Sequence, residues 1–76
     1  MTINDLKIGE GAKIVQVGGE GALRLRFLYM GLIPGTFVRL HKIAPMGDPI
    51  QIQLRGYELT IRREDARQIR IGEVEV

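Results

Sequence analysis

The sequence predicts a mainly β fold, with one short α-helix inserted after the first strand and a short helical turn before the last strand. Three observations carry that expectation. The three prolines all fall between Ile33 and Ile50, where two chain reversals bracket one β-rich run, Phe37 to Ile43. Ile50, Ile52 and Leu54, then Leu59 and Ile61, alternate with polar residues on either side of a glycine, as the arms of a hairpin do. Finally, 76 residues suffice for one small domain spanning 1–76, which covers its thin core best with a few short strands.

The first strand reads as Ala12 to Val17, rich in β-branched residues. Leu6 and Ile8 ahead of it read as an arm that packs on the barrel. Gly18-Gly19-Glu20-Gly21 ends the strand as a flexible turn. It lacks the Lys-Ser/Thr of a P-loop, and its glycine spacing fits no dinucleotide fingerprint.

Ala22 to Met30 fits two periods. Leu23, Leu25, Phe27 and Tyr29 alternate as in a strand, while Leu23, Phe27 and Met30 recur as in a helix. Gly31 favours the helix, because it stands where a helix end takes a left-handed residue.

Pro34-Gly35 supplies the fixed φ and the positive φ of a type II turn. Phe37 to Ile43 is the next strand. Its alternation breaks, with Val38 and Leu40 on one face and Phe37 and Ile43 on the other, so a bulge is expected. Pro45-Met46-Gly47-Asp48-Pro49 then forms a rigid corner, with Pro49 opening the following strand.

For the hairpin, a II′ turn at Gly56-Tyr57 pairs Arg55 with Glu58, Leu54 with Leu59, Gln53 with Thr60 and Ile52 with Ile61. Apolar residues then face apolar ones, and an ion pair closes the turn. Arg63 to Gln68 forms one helical turn, with Ala66 and Ile69 inward. Ile69 and Ile71 make a last strand, expected to pair with Ala12–Val17 and close the sheet. Together these elements make a small SH3-like β-barrel.

The composition excludes several functions. There is no cysteine and no serine, which removes disulfides, thiolate metal sites and Ser- or Cys-based triads. His41 is the one histidine, placed mid-strand. His41 and Asp48 are two potential metal ligands on different elements, too few for a site. Asp48 is expected to cap its own turn, and Glu64-Asp65 beside Arg62, Arg63 and Arg67 to form a surface ion-pair cluster. No catalytic residue, metal or cofactor is therefore expected. The net charge of +2 and pI of about 9.4 are mildly basic and require no nucleic acid. No apolar run approaches the ~20 residues of a membrane span, and no signal-peptide pattern opens the chain, so the cytosol is expected.

The helix supplies a candidate binding surface. Leu23, Phe27 and Met30 cluster on one side, and Leu25, Leu28 and Tyr29 on the other. A small barrel covers one side, which leaves Leu25, Leu28 and Tyr29, flanked by Arg24, to dock on a partner or a second copy. The alternative is that the Leu6-Ile8 arm covers them. The corner residues Pro45, Met46 and Asp48 form a second candidate contact.

Four segments resemble the FeoA family of bacterial ferrous iron transport: Arg26 to Thr36, Ala44 to Ile50, Arg55-Gly56, and Leu59 to Ala66. The pairing of Met-Gly-x-x-Pro-Gly with Ala-Pro-x-Gly-Asp-Pro is specific, and the resemblance runs from Leu6 to Ile71. It implies an SH3-like barrel and a partner, the membrane transporter FeoB with its cytosolic GTPase domain. It implies no activity of its own. The domain also resembles the C-terminal module of DtxR-type repressors, but no DNA-binding helices precede it here.

The leading expectation is a non-enzymatic cytosolic accessory protein that binds FeoB. A nucleic-acid-binding barrel is the second reading, suggested by the basic pI and small β fold and weakened by few aromatics, with Phe27 and Phe37 expected in the core and little left to stack bases on. A GTPase-activating partner, with Arg24, Arg39 or Arg55 as an arginine finger, is the third.

Overall fold

The computed structural model describes residues 1–76. A 3-10 turn, Ile3–Asp5, precedes β1 (Gly11–Val17), α1 (Ala22–Tyr29), β2 (Phe37–Ile43), β3 (Ile50–Leu54), β4 (Tyr57–Ile61), α2 (Arg63–Ala66) and β5 (Ile69–Ile71). One antiparallel sheet runs in the order β4-β3-β2-β1-β5. β1 pairs with β2 through residues 11–13 and with β5 through residues 14–17, so it bends from one half of the sheet to the other.

The inward residues of every strand meet in a single core. Ile14, Val38, Leu40, Ile50, Ile52 and Ile69 are buried there, with Phe27 of α1 at the centre. Phe27 is fully buried, which stabilises the fold by about 2–3 kcal/mol through its apolar area alone. Ile3 and Leu32, from outside the predicted elements, join it.

Both ends of the chain are tied in. Ile71 N–H donates to the Met1 carbonyl, and Gly11 and Glu75 exchange backbone hydrogen bonds at 2.8 and 2.7 Å. Of the expected arm, Leu6 is buried while Ile8 stays exposed, because the chain turns at Gly9 to lead into β1. The helix outer face is not covered by it, since Leu25 and Tyr29 remain exposed.

The proline reversals form as their sequences require. Thr36 N–H donates to the Ile33 carbonyl at 3.0 Å around Pro34-Gly35, and Gly35 has φ +92°. The expected bulge in β2 lies between Leu40 and Lys42. His41 takes the extra position, which accounts for the broken alternation.

Two expectations are corrected. The hairpin turn is Arg55-Gly56, not Gly56-Tyr57. Leu54 faces Tyr57, Gln53 faces Glu58, Ile52 faces Leu59 and Ile50 faces Ile61. Arg55 and Gly56 both have positive φ, +49° and +82°, as a type I′ turn demands, and that turn matches strand twist. The register differs by two residues, so every apolar residue keeps its face and the inside-outside pattern could not tell the two apart.

The second correction concerns closure. β5 pairs with β1 as expected, but β4 and β5 do not pair with each other. The chain passes between them through α2, whose Ala66 is fully buried. β5 is also only three residues long. The barrel is thus bridged by a helical turn where a strand pair would complete it.

Candidate partner-binding surfaces

α1 divides its apolar residues according to helix geometry. Leu23, Phe27 and Met30 face the core, with Phe27 fully buried and the other two half-buried. At about 100° per residue, Leu25 and Tyr29 each lie roughly 160° from Phe27. They are 52% and 86% exposed. Leu28 lies only about 100° from Phe27 and can reach the sheet. It is half-buried against the core, which removes it from the exposed face proposed from sequence. Arg24 lies about 60° from Phe27, toward the core side of the helix rather than beside Tyr29, and its Nε donates to the Val17 carbonyl at 3.3 Å. Arg26, on the far side, pairs with Asp65 of α2 at 3.4 Å.

Gly31 ends the helix with φ +97°. The Leu32 and Gly31 N–H groups fold back onto the carbonyls of Phe27 and Leu28. This seats Leu32 in the core. It also presents the Met30 carbonyl to the Tyr57 hydroxyl, which donates to it at 2.5 Å.

The Pro45–Pro49 corner presents Pro45 and Met46, the latter 93% exposed. Asp48 behaves differently from expectation. Its carboxylate does not cap its own turn. It accepts from the Arg63 backbone N–H at 3.0 Å, satisfying the first free donor of α2. The cis Asp48-Pro49 bond carries the chain from this contact into β3. The corner and the α1 face are held by different elements, Asp48 by α2 and Arg24 by β1.

A third surface was not foreseen. Glu58 on β4 gathers Gln51, Gln53 and His41 from β3 and β2. Its carboxylate accepts from Gln51 Nε2 and from Gln53 Nε2, the latter at 3.3 Å, and lies 3.4 Å from His41 Nε2. The polar alternation of Gln51 and Gln53 was visible in the sequence, but the shifted register assigned Glu58 to Arg55. Next to this cluster, Phe37, Arg39, Leu54, Arg55 and Tyr57 line an open groove.

The candidate ligands His41 and Asp48 are therefore engaged separately, one with Glu58 and one with Arg63. No three His, Asp or Glu side chains group together. Of the candidate arginine fingers, Arg24 bonds Val17, Arg39 bonds the Gly9 carbonyl, and Arg55 bonds the Thr36 hydroxyl at 3.1 Å. No helix is long and apolar enough to cross a membrane.

The FeoA domain family matches residues 1–72. A fusion of Fe(2+) transport protein A with the Fe(2+) transporter FeoB, from Porphyromonas gingivalis, is 37% identical over 71 residues. That alignment covers 93% of this chain but spans only 8% of the length of the fusion protein. The solution structure of a FeoA protein from Chlorobium tepidum is 37% identical. It superposes with a TM-score of 0.85 over 93% of this chain and 68% of its own. The zinc complex of Stenotrophomonas maltophilia FeoA, an SH3-domain protein, is 22% identical. It shares the fold with a TM-score of 0.86, covering 99% of this chain and 95% of its own. With the FeoA domain matched almost end to end and the five-stranded SH3-like architecture in place, the chain belongs to the FeoA family.

Proposed function

We propose that this chain is a non-enzymatic cytoplasmic accessory protein of bacterial ferrous iron transport, acting by docking on the FeoB transporter. The observation that carries this reading is the Porphyromonas relative, in which a domain 37% identical to this chain is fused to FeoB. A covalent link holds two modules at high effective concentration, an arrangement that serves modules which work in contact. The chain offers contact surfaces and little chemistry. Leu25 and Tyr29 stand one turn apart on α1, large apolar groups in water. Pro45 and Met46 project from the corner. Against this, the lone histidine is tied to Glu58, and neither serine nor cysteine is available as a nucleophile.

The test is a pull-down of the full-length transporter and of its isolated GTPase domain by the tagged chain. Retention of the full-length transporter is expected, with loss on combined Leu25→Ser and Tyr29→Ser substitution. Failure to retain either form removes the proposal. GTP hydrolysis stimulated by the chain and lost with one arginine would replace it with the GTPase-activating reading.

A further inference from the structure

The chain has one non-glycine residue with positive φ, and it is an arginine. Arg55 takes φ +49° at the first central position of the hairpin turn, where asparagine, aspartate or glycine would sit relaxed. A residue held in that region at a surface turn points to something its side chain does. Its Nη2 donates to the Thr36 hydroxyl at 3.1 Å, which fixes the guanidinium over the groove beside the hairpin. Arg39 enters the same groove from β2. Its guanidinium carbon lies 5.2 Å from the centroid of the Phe37 ring, and Nη1 donates to the Gly9 carbonyl. Each guanidinium spends one bond of its five N–H donors on the protein, and each is held in place by that bond. Two immobilised forks with free donors are suited to carboxylates, which they grip through paired N–H groups.

The groove's other walls define the ligand further. Phe37 and Tyr57 add aromatic surface to the same groove, with the Arg39 guanidinium lying over the Phe37 ring. Glu58 closes one side, but its carboxylate is already surrounded by Gln51, Gln53 and His41. Two arginines against one glutamate give a net charge of +1 in the groove, too little to track the backbone of a nucleic acid. From this charge and these walls we infer that the Arg39–Arg55 groove binds an acidic peptide segment of a partner protein, two carboxylates on the guanidinium groups and an apolar side chain against Phe37 and Tyr57. The groove shares no residue with the Leu25–Tyr29 face, so the inference does not depend on the docking proposed above.

The experiment measures fluorescence anisotropy of a labelled peptide, Glu-Asp-Leu-Asp-Glu, with its amide counterpart Gln-Asn-Leu-Asn-Gln as control. Saturable binding of the acidic peptide is expected, weakening as salt rises from about 0.05 M to about 0.5 M. Arg39→Gln and Arg55→Asn should each weaken it by at least about tenfold. Asparagine accepts the left-handed turn, and the melting temperature of Arg55→Asn is measured alongside, so that a binding loss in a variant still folded at the assay temperature is not a folding defect. The variant with Leu25→Ser and Tyr29→Ser should bind the peptide as the wild type does. The inference is overturned if the wild type shows no saturable binding, if either arginine variant binds unchanged, or if the amide peptide binds equally well. Inorganic pyrophosphate binding more tightly than the peptide would overturn it too.

Discussion

Asp48 and Arg63 hold the β2–β3 corner onto the start of α2 from both directions. The Asp48 carboxylate accepts the Arg63 backbone N–H at 3.0 Å, and the Arg63 Nε donates back to the neighbouring Gly47 carbonyl at 2.5 Å. Nη1 of the same guanidinium reaches Asn4 Oδ1 at 2.9 Å, which adds the N-terminal 3-10 turn to the latch. Three segments far apart in sequence thus meet on one side chain. Asp48→Ala removes a helix cap and should cost about 0.5–2 kcal/mol in urea unfolding. Arg63→Ala keeps the backbone N–H that Asp48 accepts but removes the guanidinium contacts to Gly47 and Asn4, and should cost about 1–3 kcal/mol. A stability unchanged in both variants would show that the corner is not latched this way.

The corner also rests on its glycine. Gly47 has φ +91°, and a Cβ built there meets no atom within 4 Å. The cost of a side chain is therefore one of backbone conformation alone. Gly47→Val should destabilise the protein by roughly 1–3 kcal/mol. An unaltered melting temperature would contradict that.

The sequence made the order of elements legible because each boundary carries turn chemistry that leaves little choice. Pro34-Gly35 before β2 and Gly31 after α1 are such places, and both turned where their residues required. The two-residue error at the hairpin arose where periodicity is blind. Moving the pairing by two positions keeps Ile52 and Leu54 inside, and only the backbone's ability to hold Arg55 at φ +49° separates the two registers. The same error hid the Glu58 cluster and left Arg55 paired on paper with a residue it does not meet. Leu28 leaves the exposed face because a helical wheel has flanks as well as two faces, and on this flank it packs half-buried against the core. Asp48 was misassigned because its partner, Arg63, is distant in sequence, and no local pattern reports such a contact.

Gly31 and Tyr57 give a prediction about close approach. A Cβ on Gly31 would sit 2.2 Å from the Tyr57 hydroxyl oxygen, on a backbone with φ +97°. Gly31→Ala should therefore cost more than Gly47→Val, adding overpacking of about 1–3 kcal/mol to the conformational strain. Tyr57→Phe removes the hydroxyl and its bond to the Met30 carbonyl, a loss of about 0.5–1.5 kcal/mol. In the Tyr57→Phe background, Gly31→Ala should cost less than it does in the wild type. A double-mutant cycle by urea denaturation measures the coupling, and strict additivity would show that the two residues do not meet.

Metal binding is a separate matter. His41 Nε2 lies 3.4 Å from Glu58, and the Asp48 carboxylate is occupied by the Arg63 N–H, so the two candidate ligands serve different contacts. An exposed two-residue set gives a divalent ion little to coordinate. Anaerobic calorimetry of the purified chain should show no stoichiometric Fe(II) binding with a Kd on the order of micromolar. Stoichiometric heat abolished by His41→Ala or by Asp48→Ala would prove the opposite.

The last prediction separates packing from docking on a single helix. Leu25 and Tyr29 lie on the side of α1 opposite Phe27, and removing them takes almost nothing from the core. Leu25→Ser with Tyr29→Ser should change folding stability by within about 1 kcal/mol, the size of helix-propensity and surface effects. Leu28 is the internal control. It packs half-buried against the core between those residues in sequence, so Leu28→Ser should cost about 1–3 kcal/mol. In binding the order should reverse. The Leu25/Tyr29 variant should lose the transporter in a pull-down while remaining folded, and Leu28→Ser should keep whatever binding its folded fraction allows. If the Leu25/Tyr29 variant unfolds, those side chains contribute to the fold and the docking face is misplaced. If it stays folded and still binds, the contact lies elsewhere, and Pro45 and Met46 at the corner become the next surface to alter.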